Sequence, residues 1–453
     1  MSTRAANVSV LDNLIFNLFH VIPFYLRGTV TASRRWVSFF TKIHRDLAAV
    51  RFFTRLREKY KSEYLYLYIF EIGLNRLPRL TRTLTVLDHE GIRQIYSEPQ
   101  NFALDAAFKH ERLSLFQPDS LTISSGTPAI ERRRFNEAVL NTGKPKHEYA
   151  HRFLEIVNEE ITEFNGKIEL LWDDLSSLAE RITQRVILGV DKIDVDLTRA
   201  LDSMIRESTR AFTFGRAKDF DAYYAKLDEH LRQPAAESLV FLCAHTDSTD
   251  ETRIANQMTH WLFAMKDALE THVPRALALI SAHPDVEQRI RQELTHKNLK
   301  DPAEITRLEL LTGCAHEAAR LWSATPLLYR RATAEVRLGD IEVPPETQIL
   351  IHIAFNQRDV KHYGQLANQF APDQWIGGKT PNPPMNHFNN GPRVCAGRDL
   401  VLFLMTAVLA RLLSQHRYVL QEPVLQSYDR LPYLFNQFAI QLTPSTTESN
   451  GGR

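Results

Sequence analysis

Apolar residues recur at three- and four-residue spacing through the middle of the chain. Segments 132–143, 147–167, 172–190, 195–212, 220–243, 251–282 and 284–297 each carry such a stripe, which predicts amphipathic helices packed on a common core. The stretch 398–415 predicts one more long, strongly apolar helix. Two segments follow another rule. Residues 64–70 (YLYLYIF) and 81–87 (TRTLTVL) are rich in aromatic and β-branched residues and read as strands. Residues 335–354 return to strand with turn chemistry, and Pro284-Asp285 after His283 opens a fresh helix. The pattern predicts a fold that is mainly α with a small β part. No fixed-period repeat and no Gly-, Pro- or Ser-rich linker divides it, so the main body reads as a single domain.

Composition narrows the function classes. With 55 basic and 54 acidic residues the net charge is +1, so nucleic acid is not an indicated partner. Three cysteines in 453 residues cannot build a disulfide framework, which points to a reducing, cytoplasmic setting. Residues 8–26 are apolar-rich but interrupted by Asp12, Asn13, Asn17, His20 and Pro23, so neither a secretory signal nor a spanning helix is expected. Residues 1–45 read as an N-terminal extension, either packed on the body or lying on a membrane surface, since Arg27, Arg34 and Arg35 follow the apolar run. Residues 46–443 read as the main domain and 444–453 as a disordered tail.

The candidate chemistry centres on Cys395. It lies in His387-Phe388-Asn389-Asn390-Gly391-Pro392-Arg393-Val394-Cys395-Ala396-Gly397-Arg398, with glycines four before and two after the thiol and a helix immediately behind. An N–H-rich loop at a helix N-terminus favours a thiolate over a thiol, and glycine lets backbone approach a large flat ligand. One thiolate without CxxC or a nearby His is poor zinc chemistry. It suits haem, where a single thiolate is the axial ligand.

Phe388, Gly391, Arg393, Cys395 and Gly397 together resemble the haem-binding loop of the cytochrome P450 family of haem-thiolate oxygenases. The resemblance implies that Cys395 ligates the iron of haem b, that Phe388 packs beside it, and that Arg393 pairs with a propionate. Glu317-Ala318-Ala319-Arg320 is similar to the family's Glu-x-x-Arg helix, a buried ion pair that seats the haem region. The network's usual third member is an Arg; Gln374, in Phe370-Ala371-Pro372-Asp373-Gln374-Trp375, stands in its place and brings a hydrogen bond without charge. Arg330 and Arg133 match positions that reach propionates, a role suited to the guanidinium fork. Arg132 and Arg134 read as solvated or as facing an acidic electron donor. Asn356-Gln357-Arg358-Asp359 resembles a structural turn of the family.

The helix over the haem departs from the family pattern. Counting back from Pro284, Ala268 stands where a proton-delivering Thr is usual, with Asp267 at the acid position, Ala264 at the small position and Met265 where Gly is usual. Glu270-Thr271 supplies an acid–alcohol pair about one turn later, and Pro274, lacking an N–H for the Glu270 carbonyl, predicts a kink there. The alternative is that Glu270 and Thr271 are plain helix residues. Phe263, Ala264, Thr325, Leu327, Leu328, Leu434 and Phe435 are the expected pocket residues, and Cys243 and Cys314 read as core thiols.

The resemblance implies a monomer with haem between two long helices, inserting one oxygen atom from dioxygen into a small, mainly apolar substrate. Asp267, Ala268, Glu270 and Thr271 would govern proton delivery. No Gly-rich phosphate loop is present, so electrons would come from a separate protein, a ferredoxin or a reductase. Two readings compete: a peroxide-using or rearranging haem-thiolate enzyme, favoured by Ala268, and a non-catalytic haem carrier or sensor.

Overall fold

A computed structural model describes residues 5–28, 30–43, 49–71, 79–163, 167–209, 217–425 and 431–445. Of the tail expected at 444–453, residues 446–453 lie outside these residues, as do the parts of two expected helices at 164–166 and 210–212, whereas Pro444 and Ser445 end the strand Gln441–Ser445.

Long helices form the bulk of the molecule. Ala150–Thr162, Trp172–Leu188, Ile254–Ser281, Glu309–Leu321 and Arg398–Gln415 pack on one large apolar core. Each stripe read from the sequence faces inward here, and Arg398–Gln415, apolar on every side, is buried almost throughout. Trp172–Leu188 ends where Gly189 takes φ +70°, the left-handed stop that glycine makes without strain. The segment 220–243 is two helices rather than one, Phe220–Arg232 and Leu239–His245. Gln233-Pro234 interrupts it, and the Ser238 hydroxyl caps the second helix by accepting from the Phe241 amide at 3.2 Å.

The β part comprises a six-stranded sheet beside the helices, ordered Ala6–Asn7, Tyr64–Glu71, Arg79–Val86, Gln348–His352, Leu327–Ala332, Phe102–Ala103, a three-stranded sheet of Arg417–Glu422, Gln441–Ser445 and Leu170–Leu171, and a hairpin of Val336–Leu338 and Ile341–Val343. The two longest strands of the six-stranded sheet form the antiparallel hairpin in which Tyr64 pairs with Val86 and Glu71 with Arg79. Strand alternation sends Leu65, Leu67 and Ile69 to one small core with Phe53 and Leu56, and Tyr64 and Tyr66 to another with Ile92 and Ile95. Cys243 and Cys314 are buried, as their apolar settings predicted.

The N-terminal segment packs on the body. Val10–Phe16, a π-helical turn at Asn17–Val21 and Ile22–Arg27 run on as one helical arm. The polar residues that break its apolar pattern are its docking groups. Asn13 Oδ1 accepts from the Tyr68 amide, and the Asn17 side chain accepts from the Phe70 amide and donates to the Tyr68 carbonyl, each at 2.7 Å. Asp12 accepts from Lys59 at 2.6 Å and Tyr60 at 2.7 Å.

Candidate functional site

An internal cavity of about 600 Å³ lies between Ile254–Ser281, the cysteine loop, the sheet end at Thr325–Arg330 and the N-terminal arm. Cys395 and Gly397 form part of one wall, with Phe388 beside them. The loop is fixed through its backbone. The Cys395 amide donates to the Phe388 carbonyl at 2.7 Å, Arg133 donates to the Val394 carbonyl at 2.6 Å, and Thr142 donates to the Ala396 carbonyl at 2.7 Å. Gly391 does not line the cavity. It turns the loop at φ +57°, where a Cβ would approach the Tyr96 carbonyl oxygen to 3.1 Å. At Gly397 a Cβ would meet nothing nearer than Leu140 at 3.9 Å, so its missing side chain leaves open space beside the sulfur.

The free thiol departs from the expectation of a thiolate. Burial pushes the Cys395 pKa up, and the Gly397 amide, Arg133 and Arg398 offset this only in part. A metal ion at the sulfur reverses the balance, since coordination takes the proton off.

Three cations converge near the loop without a salt bridge among the described residues, although the charge of Asp105 reaches Lys109. Arg330, 1% exposed, donates to the Tyr329 carbonyl at 2.9 Å and to Asn389 Oδ1 at 3.2 Å and lies over the Tyr96 ring. Arg393 donates only to the Pro99 carbonyl at 3.4 Å, leaving its buried Nε unpartnered. Lys109 donates to Thr122, and burial together with the charges of Arg330 and Arg393 lowers its pKa to about 7. Burial lowers Arg330 as well, to about 10, with Arg393 contributing. All three line the cavity. Such a cluster is expensive unless an anion joins it. No sequence signal marked Lys109.

The neighbouring arginines divide their work, because successive helix positions point about 100° apart. Arg133 lines the cavity but is held by Glu137 and the Val394 carbonyl, so it braces the loop. Arg132 is buried and tied to Asp119, Ser124 and the Glu251 carbonyl; it neither sits in solvent nor faces a partner. Arg134 is exposed and pairs with Glu131.

The helix Ile254–Ser281 presents Phe263, Ala264, Asp267, Ala268, Thr271, His272 and Arg275 to the cavity, a single face by their spacing. Asp267 is enclosed there, and burial, reinforced by Glu270, raises its carboxyl to about 7. Glu270 does not line this cavity. It accepts from the Ser176 hydroxyl at 2.6 Å and pairs with Lys266 at 3.3 Å, so the acid and alcohol of Glu270-Thr271 part to different faces. The helix continues past Pro274 without opening. The Glu270 carbonyl that Pro274 cannot serve accepts from the Trp172 indole at 3.0 Å, a partner 98 residues away in sequence. Thr325, Leu327, Leu328, Leu434 and Phe435 all line the cavity. The N-terminal arm supplies a further wall, including Phe16, Phe19, His20, Tyr25 and Arg27, which the sequence did not reveal.

Glu317 and Arg320 are fully buried and bidentate, at 2.6 and 2.7 Å. Arg320 also donates to the carbonyls of Gln357, Ala367 and Gln369. Glu317 also accepts from the Gln374 amide at 2.7 Å, the Trp375 indole at 3.0 Å and the Ala371 backbone at 2.9 Å. Gln374 therefore fills the third place by hydrogen bonding alone. Burial opposes ionisation of Glu317, but Arg320 and these donors outweigh it and hold the carboxyl below its usual value.

A model of the cytochrome P450 family matches residues 197–436, which contain the cysteine loop, the Glu317–Arg320 helix and the long cavity helix. This chain belongs to the cytochrome P450 family. Among curated relatives of this P450, a probable cytochrome P450 4d21 of Drosophila melanogaster is 28% identical over 232 residues, 48% of this chain and 45% of that protein. Cytochrome P450 52-M1 of Starmerella bombicola is 28% identical over 191 residues, 38% of this chain and 36% of that protein. The matched stretch thus spans less than half the length of either relative. A crystal structure of a cytochrome P450, CYP102L1, shares the fold with TM-score 0.67, 18% identity, and coverage of 89% of this chain and 94% of that one. P450s bind haem b through a cysteine thiolate, and the residues present fit it. A thiol stands beside a Cβ-free wall, and Arg330, Arg393 and Lys109 are cations awaiting an anionic partner such as a propionate.

Proposed function

We propose that this P450 is a monooxygenase that inserts one oxygen atom from dioxygen into a small, mainly apolar substrate, using electrons from a separate donor protein. The observation that carries the reading is the placement of Asp267, a carboxyl poised near neutrality, on the same cavity as Cys395. Bound haem supplies oxygen activation and insertion. Cys395 would hold its iron, and Arg330, Arg393 and Lys109 its propionates. Phe263, Ala264, Leu327, Leu328, Leu434 and Phe435 exclude water and orient an apolar substrate.

Asp267 takes the proton-holding role that a Thr at position 268 would otherwise share. It also borders a second cavity of about 30 Å³, lined by Glu180, Asp202, Lys266 and Glu270, large enough for a water. The walls of this small cavity also include Leu201, Ile205, Leu262 and Phe263, and the carboxyl stands between it and the main cavity, so a proton held on its oxygen can pass from one to the other. Ala268 favours the peroxide-using alternative, and one variant separates the readings. Asp267 keeps its proton below about pH 7, so turnover driven by reductant and dioxygen should fall as pH rises through neutrality. Asp267→Asn should flatten that limb and slow this turnover by about a hundredfold, while peroxide-driven turnover changes little. Oxygen uptake and product formation across pH measure both. Wild-type turnover only with peroxide would overturn the monooxygenase reading, and unchanged reductant-driven turnover in the variant would overturn the proton role of Asp267.

We also propose that residues 46–443 form the haem domain and that residues 1–45 seat it on a membrane surface. Among the described residues no helix is long and apolar enough to cross a membrane. Yet Val10, Leu11, Leu14, Leu18, Phe19 and Ile22 of the N-terminal arm are 37–87% exposed, and the exposed cations Arg35 and Lys42 follow it in the chain. An interfacial helix has this form. Phe19 also lines the cavity, so an apolar substrate could enter from the lipid. Co-sedimentation with phosphatidylserine-containing vesicles should capture the protein, and Leu14→Ser with Leu18→Ser should reduce capture about tenfold. Equal capture of the two proteins would refute this placement.

A further inference from the structure

Outside the haem cavity, two imidazoles and a carboxylate meet where the helix His89–Ser97 begins and the short helix Val360–Tyr363 starts. His89, Asp359 and His362 each offer a ligand atom, and the three atoms lie within 4.8 Å of one another. The rings of His89 and His362 are 4.3 Å apart between centroids. Nε2 of each is buried and has no hydrogen-bond partner. Two unpaired nitrogens converging on one point are unusual, because buried polar atoms are normally satisfied.

We propose that His89, His362 and Asp359 form a site for a divalent transition-metal ion of the zinc type, which ties the two helix starts together. Asp359 is committed on one side: Arg57 grips it at 2.5 and 3.1 Å and the Lys361 amide donates to Oδ1 at 3.1 Å. Its Oδ2 lies 3.8 Å from His362 Nε2 and keeps acceptor capacity on that side. Glu63, salt-bridged to Arg57 and Lys361, balances the local cations together with Asp359. Neutral nitrogen is the ligating form. Two nitrogens and one carboxylate oxygen suit zinc with water in the fourth position. They suit magnesium or calcium poorly, since those ions need several oxygen ligands.

The test uses the full-length haem-loaded protein, freed of metal by chelator dialysis and then titrated with zinc chloride against a chromophoric chelator. One zinc per chain should bind, raise the unfolding temperature and leave the Soret band unchanged; magnesium should neither bind nor raise that temperature. His89→Gln and His362→Gln should each weaken zinc binding by more than about tenfold and abolish the rise. Zinc-edge absorption on the wild type should report nitrogen and oxygen ligands including two imidazoles, independently of any variant's folding. Absence of bound zinc, sulfur ligation, or undiminished binding by the doubly substituted protein would overturn the site.

Discussion

Cys395→Ser should leave the fold standing and abolish thiolate ligation. The reduced, carbon-monoxide-bound wild type should show the strongly red-shifted Soret band of a thiolate, and the variant should lack it. The loop's backbone is held by Phe388, Arg133 and Thr142, and none of these bonds uses the sulfur. Removing the thiol therefore removes a ligand rather than a structural tie, and stability should change by less than about 2 kcal/mol. Reductant-driven oxygenation should fall by at least about a thousandfold, because Cys395 acts as a unit with the group it holds. The other two thiols offer no rescue. Cys243 and Cys314 are buried away from the cavity, and burial pushes both toward the neutral thiol. A persisting thiolate band in Cys395→Ser, lost instead in Cys243→Ser or Cys314→Ser, would refute the assignment.

What the sequence revealed of this site follows from how local each determinant is. The cysteine loop and the Glu317–Arg320 turn are contiguous, so their spacing alone places them. The helices Trp172–Leu188, Ile254–Ser281 and Arg398–Gln415 carry several turns of apolar period, which local competition cannot mask. Leu327–Ala332 is different. The sequence placed Arg330 toward a propionate only through resemblance, and that it sits buried on a strand facing the cavity is a tertiary fact. Proline chemistry was legible at Pro274 only as a missing bond. That the Trp172 indole repairs it depends on two helices meeting. Arg132 reads like its neighbours in a basic run, and only the positions of Asp119 and Ser124 turn it inward. The wall made by the N-terminal arm is likewise a tertiary fact. Asn13 and Asn17 look like interruptions until the strand Tyr64–Glu71 lies beside them.

Glu317→Ala should be the most damaging single substitution to folding. It leaves Arg320, fully buried, with its charge uncompensated, and breaking a buried ion pair from one side costs about 3–5 kcal/mol. That is a large share of the roughly 5–15 kcal/mol that holds a protein folded. The same change orphans the Gln374 amide, the Trp375 indole and the Ala371 backbone donor, each of which then bears its own desolvation cost. The damage should reach the haem site through the chain itself. Arg320 holds the carbonyl of Gln357, and the Gln357 side chain accepts from the Asn386 amide at 2.9 Å and meets His387 at 3.0 Å, immediately before the loop that carries Cys395. Glu317→Ala should therefore yield protein with a low ratio of Soret to protein absorbance and a lowered urea midpoint. Glu317→Gln, which keeps the shape and some hydrogen bonds, should fall between the variant and the wild type. Arg320→Lys should resemble the alanine variant, because one ammonium cannot span the carboxylate and three carbonyls that the guanidinium fork reaches. Full haem loading and an unchanged midpoint in Glu317→Ala would mean that the pair is dispensable and that the loop is positioned from the Arg133 side alone.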